Sequence, residues 1–157
     1  MDDLFPLDNL TAALEAYGAA IAAQYKDNLR ESGHSTRPDH LINSIETFVV
    51  TGDRAWEVKM RLNDYWKYVE EGTTPHWPPV DKIRAWIDYK PVAPYPMKNG
   101  KLPTPKQLAF LISRKIAREG TQGTKDLERA KATMAEIWRD RLTQALIADF
   151  RLWVLNF

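Results

Sequence analysis

The residues most capable of chemistry lie in the stretch VEEGTTPHWPPV, residues 69–80. It places His76 shortly after the carboxylates of Glu70 and Glu71, and an imidazole near a carboxylate is a common general base. Catalysis also needs a nucleophile or a group that orients the base, whereas the neighbours of His76 are threonines and prolines. No G-x-S-x-G or similar segment is present. We therefore predict no catalytic residue, and we expect His76→Ala to change stability or assembly only modestly.

Metal and cofactor sites are not expected either. The chain's histidines are His34, His40 and His76, and no pair has the helical spacing of a zinc motif. The chain has no cysteine, which excludes a thiolate metal site, a disulfide framework and a thiol nucleophile. The segment GTQGTK carries glycines but lacks the spacing of a phosphate-binding loop. The sequence thus predicts neither a metal nor a cofactor.

Composition is that of a globular protein of single-domain size. The chain has 157 residues, 44% of them hydrophobic, and a net charge of +1, so no overall field draws it to nucleic acid or to an anionic membrane. The N-terminal MDDLFPLDNL is acidic where a secretory signal is basic. The longest weakly polar run, residues 17–23, is too short to cross a bilayer. We expect one soluble domain, residues 1–157, without membrane association.

The elements that must position these residues begin with a long helix and a strand pair. Apolar residues recur at helical spacing from about residue 7 to residue 32, with Asp8 placed to cap the helix and Gly33 to end it. A short helical turn is expected to start at Asp39. ETFVVT and AWEVKMRL then predict a β-hairpin whose second strand is exposed on one face.

Two short helices flank the VEEGTTPHWPPV stretch. The first ends at Gly72, and the second starts near Pro79, where a missing N–H costs nothing. Residues 90–105 contain five prolines, which predict an extended, mobile surface loop.

Beyond this loop the spacing predicts two more helices. Thr104 caps the first, Gln107 completes its capping box, and Gly120 ends it. The second runs from about residue 125 to residue 150, and we expect its apolar tail, RLWVLNF, to pack on the core or on a neighbour. The faces expected to be buried are Leu108, Leu111, Ile112 and Ile116 on the first helix and Leu127, Met134, Ile137, Trp138, Leu142, Leu146 and Phe150 on the second. The fold class is α+β, a small antiparallel sheet flanked by helices, with long helices at both ends.

A short sequence echo links the ends of two predicted helices. YVEEGT and IAREGT both end a helix with Glu-Gly-Thr, at residues 71–73 and 119–121, which we attribute to the common use of glycine at helix ends rather than to a repeat.

Arg114, Lys115 and Arg118 form a basic strip at helical spacing that is a candidate for facing DNA. Acidic residues are interleaved through the chain, so weak phosphate contact is favoured over base readout. A DNA-binding accessory protein remains the alternative from another functional class.

The order of these motifs resembles the neck, or head–tail joining, proteins of tailed bacteriophages, over about residues 35 to 125. That family combines a Tyr-Val-Glu-x-Gly-Thr segment, a His-Trp-Pro-Pro-Val loop, a helix with a Trp, and an Ala-x-x-Ile-x-Arg-Lys-Ile helix closing on Gly-Thr. The matching positions are Tyr68, Val69, Glu70, Gly72, Thr73, His76, Trp77, Pro78, Pro79, Val80, Trp86, Ala109, Ile112, Arg114, Lys115, Ile116, Gly120 and Thr121.

The resemblance implies a structural virion protein whose subunits form a ring between the head-side connector and the tail, with DNA passing through the lumen. It implies neighbouring connector and tail proteins as partners and non-specific contact with passing DNA. The proline-rich segment and the apolar last helix are longer than in that family, so a tail terminator or minor tail protein stays open.

In this setting VEEGTTPHWPPV is interpreted as a shaped structural joint, formed by Glu70, Gly72, Thr73, His76, Trp77, Pro78 and Pro79. Gly72 stops a helix, and the prolines fix the direction in which the chain leaves. Trp77→Ala is expected to cost about 2–4 kcal/mol if the ring is buried. Segments 90–105 and 150–157 are expected to contact neighbouring subunits, with interface candidates Tyr95, Met97, Trp153, Leu155 and Phe157.

Overall fold

Helices dominate the computed structural model, which describes residues 7–34, 41–52, 55–90 and 92–155. In chain order the described elements are α1 (Asp8–Glu31), a 3-10 turn (Leu41–Ser44), β1 (Glu46–Thr51), β2 (Trp56–Arg61), α2 (Trp66–Glu71), β3 (Gly72–Thr73), α3 (Val80–Tyr89), α4 (Pro105–Glu119), β4 (Thr121–Gln122) and α5 (Asp126–Leu155). β1 pairs with β2 and β3 pairs with β4, both antiparallel. The α+β class with long helices near both ends is therefore confirmed, although the strands form two small sheets rather than one.

The described chain packs as two compact units. The first contains α1, the 3-10 turn, the β1–β2 hairpin and α5. The second contains α2, β3, α3, α4 and β4. The single-domain organisation stays a prediction.

In the first unit α1 and α5 pack side by side in opposite directions. Near the start of α1, Asp149 of α5 accepts hydrogen bonds from the backbone N–H groups of Asn9 at 3.0 Å and Leu10 at 2.8 Å, and from Asn9 Nδ2 at 2.6 Å. Near the other end, Asn28 Nδ2 donates to the carbonyl oxygen of Asp126 at 2.9 Å. Polar bonds at both ends thus fix how far each helix slides along the other.

The start of α1 differs from the prediction. Leu7 holds the N-cap position without a side-chain bond, and Asp8 lies in the first helical turn. The prediction that Asp8 caps the helix was wrong, because Asp149 satisfies the first N–H groups from 140 residues away. At the other end Gly33 follows the helix with φ 78°, as predicted.

The predicted hairpin of β1 and β2 is present and packs against α1. Val49 faces Val58, and Glu46 faces Arg61, whose guanidinium lies 3.3 Å from the Glu46 carboxylate. Side chains of β2 alternate between half-buried and exposed along its whole length, which confirms the prediction for the second strand. The predicted start of a turn at Asp39 lies outside the described residues.

The buried face of α5 is narrower than predicted. Ile137, Leu146 and Phe150 are about half exposed, whereas Leu127 and Ala130 are buried, together with Asp149. Leu111 of α4 is likewise exposed, while Ala109 and Ser113 of that helix are buried. The predicted faces were wrong at these positions because spacing alone does not show which side of a helix meets its neighbour, and small residues are among those that α4 and α5 bury.

In the second unit α3 packs against α4, and the start of α4 has the predicted capping box. Thr104 N–H donates to Gln107 Oε1 at 2.9 Å, and Gln107 N–H donates to Thr104 Oγ1 at 3.3 Å. Residues 92–104 form no helix or strand, as expected, and contain a tight turn in which Met97 N–H donates to the Lys101 carbonyl at 2.9 Å. The mobility of this segment stays a prediction.

Candidate functional site

The two Glu-Gly-Thr segments pair with each other. Gly72 lies opposite Gln122, and Thr73 lies opposite Thr121 in the β3–β4 ladder. The hydroxyls of Thr73 and Thr121 are 2.9 Å apart and share a hydrogen bond. We call Gly72, Thr73, Gly120 and Thr121 the Gly-Thr joint. Interpreting the sequence echo as helix termination alone missed this pairing, although the echo was the signal that pointed to it.

Both glycines of the Gly-Thr joint leave their helices in the same backbone conformation. Gly72 has φ 82° and ψ −166°, and Gly120 has φ 73° and ψ −158°, a region that essentially only glycine occupies. A Cβ on Gly72 would lie 2.1 Å from the carbonyl oxygen of Thr121, and one on Gly120 would lie 2.0 Å from that of Thr73. The two segments therefore interlock reciprocally, each helix end closing on the backbone that follows the other.

The segment that follows β4 makes hydrogen bonds to the carbonyl groups at the end of α2. Thr124 N–H donates to the carbonyl of Val69 at 3.0 Å, and Lys125 N–H donates to that of Glu70 at 3.2 Å. These bonds satisfy carbonyls that a helix end otherwise leaves unpaired. Glu70, which the sequence analysis placed in the structural joint, is 5% exposed and is therefore buried rather than at the surface.

His76 lies in the loop that follows β3 and makes a hydrogen bond within that loop. His76 Nδ1 is 2.9 Å from the carbonyl oxygen of Thr74, so it is the nitrogen that donates, and the ring is exposed. Trp77 makes an edge-on contact with Phe110 of α4, with 5.7 Å between ring centroids, and is 53% exposed. The cost predicted for Trp77→Ala was conditional on a buried ring, and the Trp77 ring is not buried. Pro78 is buried, whereas Pro79 is exposed and holds the N-cap position of α3.

A cavity of about 540 Å³ lies beside this contact, within the range of small ligand pockets. We call it the α3–α4 groove, because the first turns of α3 and α4 form most of its wall. Its apolar lining includes Val80, Met97, Phe110 and Leu111, and Asp81 and Lys106 bring opposite charges to it. Of the predicted interface residues, Met97 thus lies at a concave surface.

The other predicted interface residues have different environments. Tyr95 is 90% exposed and Leu155 81% exposed. Trp153 is half-buried and lies against Phe150, with 6.0 Å between centroids. Phe157 lies outside the described residues. Their role in contacts between subunits stays a prediction.

The predicted DNA-facing residues, Arg114, Lys115 and Arg118, are exposed on α4. Arg118 is paired with the adjacent Glu119, and its hydrogen bond holds the pKa of that carboxyl below the ordinary value. The positive charge of Arg118 is therefore partly neutralised, which favours weak phosphate contact over a strongly basic face.

The described residues hold no cluster of three or more His, Asp or Glu side chains suited to a metal ion. None of the helices in this part of the chain combines the length and apolar character needed to span a membrane. Comparison of the chain with protein-family models, with curated proteins and with solved structures finds no match.

Proposed function

We propose that this chain is a structural virion protein of a tailed bacteriophage, part of a ring at the neck between the head-side connector and the tail. The observation that carries the proposal is the Gly-Thr joint. The Gly-Thr residues that support the sequence resemblance are those that interlock the ends of α2 and α4. Residues that fix the backbone geometry of two helix ends are more typical of a structural protein than of an active site.

The surroundings of His76 support the same proposal. Its ring is held by the carbonyl of Thr74 in its own loop, 2.9 Å away. This contact within the loop gives the imidazole a structural role of its own. The expected effect of His76→Ala is accordingly small.

The exposed surface of the second unit supports a role in assembly. Large aromatic side chains stand out from α2, α3, α4 and the proline-rich segment, a composition typical of the anchors in protein interfaces. These exposed residues are Tyr65, Tyr68, Trp77, Trp86, Tyr89, Tyr95 and Phe110. The proposed partners are further copies of the chain and the neighbouring connector and tail proteins, assembled in the host cytoplasm and retained in the virion. Passing DNA would meet only non-specific contacts.

Mass measurement tests the proposal most directly. Light scattering across a concentration series is expected to give a closed oligomer of fixed size, and electron microscopy of that species is expected to show rings with an open centre. Quantitative detection in purified phage particles is expected to give a fixed small copy number. A chain that stays monomeric and is absent from particles contradicts the proposal, whereas rings found only inside tails would identify a tail terminator or minor tail protein.

A further inference from the structure

Asn99 and Gly100 lie at the tip of the tight turn in the proline-rich segment, and they are the chain's one Asn-Gly pair. Gly100 N–H donates to the Met97 carbonyl at 2.8 Å, and Met97 N–H donates to the Lys101 carbonyl at 2.9 Å. These two backbone bonds close the turn, as is common where Asn precedes Gly. Both Asn99 and Gly100 are exposed, so water reaches the tip of the turn.

The turn brings the Asn99 side chain close to the backbone that follows it. Asn99 Oδ1 accepts a hydrogen bond from the Lys101 N–H at 3.1 Å, so the side-chain amide folds back across the intervening Gly100. Gly100 has a φ of 75°, and a Cβ added there would meet nothing within 4 Å. The Gly100 nitrogen is therefore next to the side-chain amide of Asn99, with no side chain of its own to shield it.

This arrangement allows a reaction that consumes only water. The Gly100 nitrogen attacks Cγ of Asn99, and the Cγ–NH2 bond breaks, so that the proton lost by the nitrogen leaves with the amide as ammonia. The product is a five-membered cyclic imide. Water then opens the ring at either carbonyl. Breaking the Cγ–N bond gives Asp, whereas breaking the original peptide bond gives isoaspartate, in which the main chain runs through the side chain.

The other asparagines lack one or more of these features. None precedes glycine, so each is followed by a residue whose side chain shields the nitrogen that would attack. Asn9 and Asn28 lie in α1, and their side-chain amides donate hydrogen bonds to residues of α5. Asn43 precedes the small Ser44, but both lie in the 3-10 turn, where a helical backbone points the side chain away from the following nitrogen. Asn43 is therefore the internal comparison for Asn99.

We propose that Asn99 is a site of spontaneous deamidation in the folded chain, converted through a cyclic imide with the Gly100 nitrogen into Asp and isoaspartate. The hydrogen bond from Gly100 N–H to the Met97 carbonyl must open first, and it is a single bond at an exposed position. Either product adds a carboxylate between the exposed cations of Lys98 and Lys101. The conversion thus changes the charge of the segment expected to contact neighbouring subunits, and it does not depend on the proposed neck function.

Ageing the full chain in neutral buffer at physiological temperature tests the site. Peptide mapping by mass spectrometry, with separation of Asp from isoaspartate peptides, is expected to show both products at Asn99 while Asn43 stays unconverted. Isoaspartate is the decisive product, because direct hydrolysis of the side-chain amide gives Asp alone. Products at Asn43 in equal yield, or Asp without isoaspartate at Asn99, would overturn the proposal.

Two variants test the role of each residue in the reaction. Gly100→Ala leaves Asn99 in place but puts a Cβ beside the attacking nitrogen, and a steric cost of that kind is expected to slow the conversion about tenfold. Asn99→Gln keeps an amide that would have to close a less favourable six-membered ring, so no conversion at residue 99 is expected. Far-UV circular dichroism verifies that both variants are folded. Conversion of Gly100→Ala at the natural rate would contradict attack by the backbone nitrogen of residue 100.

Unfolding the same chain in urea measures how far the turn controls the reaction. One exposed hydrogen bond contributes modestly to stability, so the folded chain is expected to convert at a rate within about tenfold of the unfolded chain. Asn43 is expected to gain products only in urea, since the 3-10 turn is lost there. An Asn99 that converts in urea but stays intact in the folded chain over the same period would overturn the proposal and show that the turn protects it.

Discussion

Gly120 shows at residue scale how little room the Gly-Thr joint leaves. Alanine there must hold a positive φ and place a methyl group 2.0 Å from the Thr73 carbonyl oxygen. We expect Gly120→Ala to lower the free energy of unfolding by about 3 kcal/mol or more, the sum of backbone strain and forced separation. Urea denaturation followed by tryptophan fluorescence measures this change.

Gly100 is the matched control for that substitution. It has a similar φ of 75°, but a Cβ there meets nothing within 4 Å. Gly100→Ala therefore measures the cost of a positive φ without a close contact and is expected to cost about 1–2 kcal/mol. Equal costs at the two positions would show that β3 and β4 do not interlock as described.

Ser113 has the opposite expectation. Its side chain is fully buried in α4, and its hydroxyl has no hydrogen-bond partner among the described residues. Replacing a buried, unsatisfied hydroxyl by hydrogen removes its desolvation cost, so Ser113→Ala is expected to be neutral or to stabilise by up to about 1 kcal/mol. Thermal and urea unfolding measure the difference. A loss above about 1 kcal/mol would mean that the hydroxyl makes a bond that matters.

At the scale of elements, Asp149 joins α5 to α1. Burial acts to raise the pKa of Asp149, but hydrogen bonds from Leu10 and Asn9 outweigh it and hold the pKa below the ordinary 3.8. Because the folded pKa is depressed, this stabilisation is present above pH 3.8 and is lost as the pH falls through the folded value. Asp149→Ala is expected to cost about 1–2 kcal/mol at pH 7 and to flatten the acid limb of the stability curve.

Asp8→Asn is the control for that experiment. Asp8 lies in the first turn of α1 but makes no cap bond, so only its interaction with the helix dipole is lost, about 0.5 kcal/mol. Denaturant titrations from pH 7 down to acid compare the two variants with the natural chain. A larger loss for Asp8→Asn than for Asp149→Ala would return the capping role to Asp8.

Local signals predicted most elements, and contacts between elements caused the errors. Helices end where the sequence indicates at Gly33, Gly72 and Gly120, and α4 starts at the predicted capping box of Thr104. These signals could be predicted because they act within one helical turn. The cap from Asp149 depends on two helices meeting, which no local pattern encodes. The β3–β4 ladder is only two residue pairs long, which is too short to show the alternation of apolar and polar residues that predicts a strand.

The predicted buried faces failed for a related reason. Helical spacing placed Leu111 and Leu146 inside, whereas the small residues Ala109, Ser113 and Ala130 are the ones that are fully buried. Spacing alone does not show which side of a helix meets its neighbour. Of the candidate site, the loop residues and glycines could be predicted; the groove could not, because it arises only when α3 packs on α4.

At the scale of the whole molecule, the buried core is unevenly distributed. Among the described residues, the buried apolar side chains of the first unit include Ile21, Tyr25, Leu29, Leu41 and Leu127, whereas the second unit contributes only the small residues Pro78 and Ala109. The second unit instead carries much of the exposed aromatic surface. Since apolar burial is the main stabilising term in folding, we expect the second unit to have less stability of its own.

Amide hydrogen exchange followed by mass spectrometry tests this asymmetry. In dilute protein, peptides from α3 and α4 are expected to exchange at least about tenfold faster than peptides from the middle of α1, because local opening costs less where little apolar surface is buried. Uniform protection in the dilute protein would contradict the lower stability of the second unit.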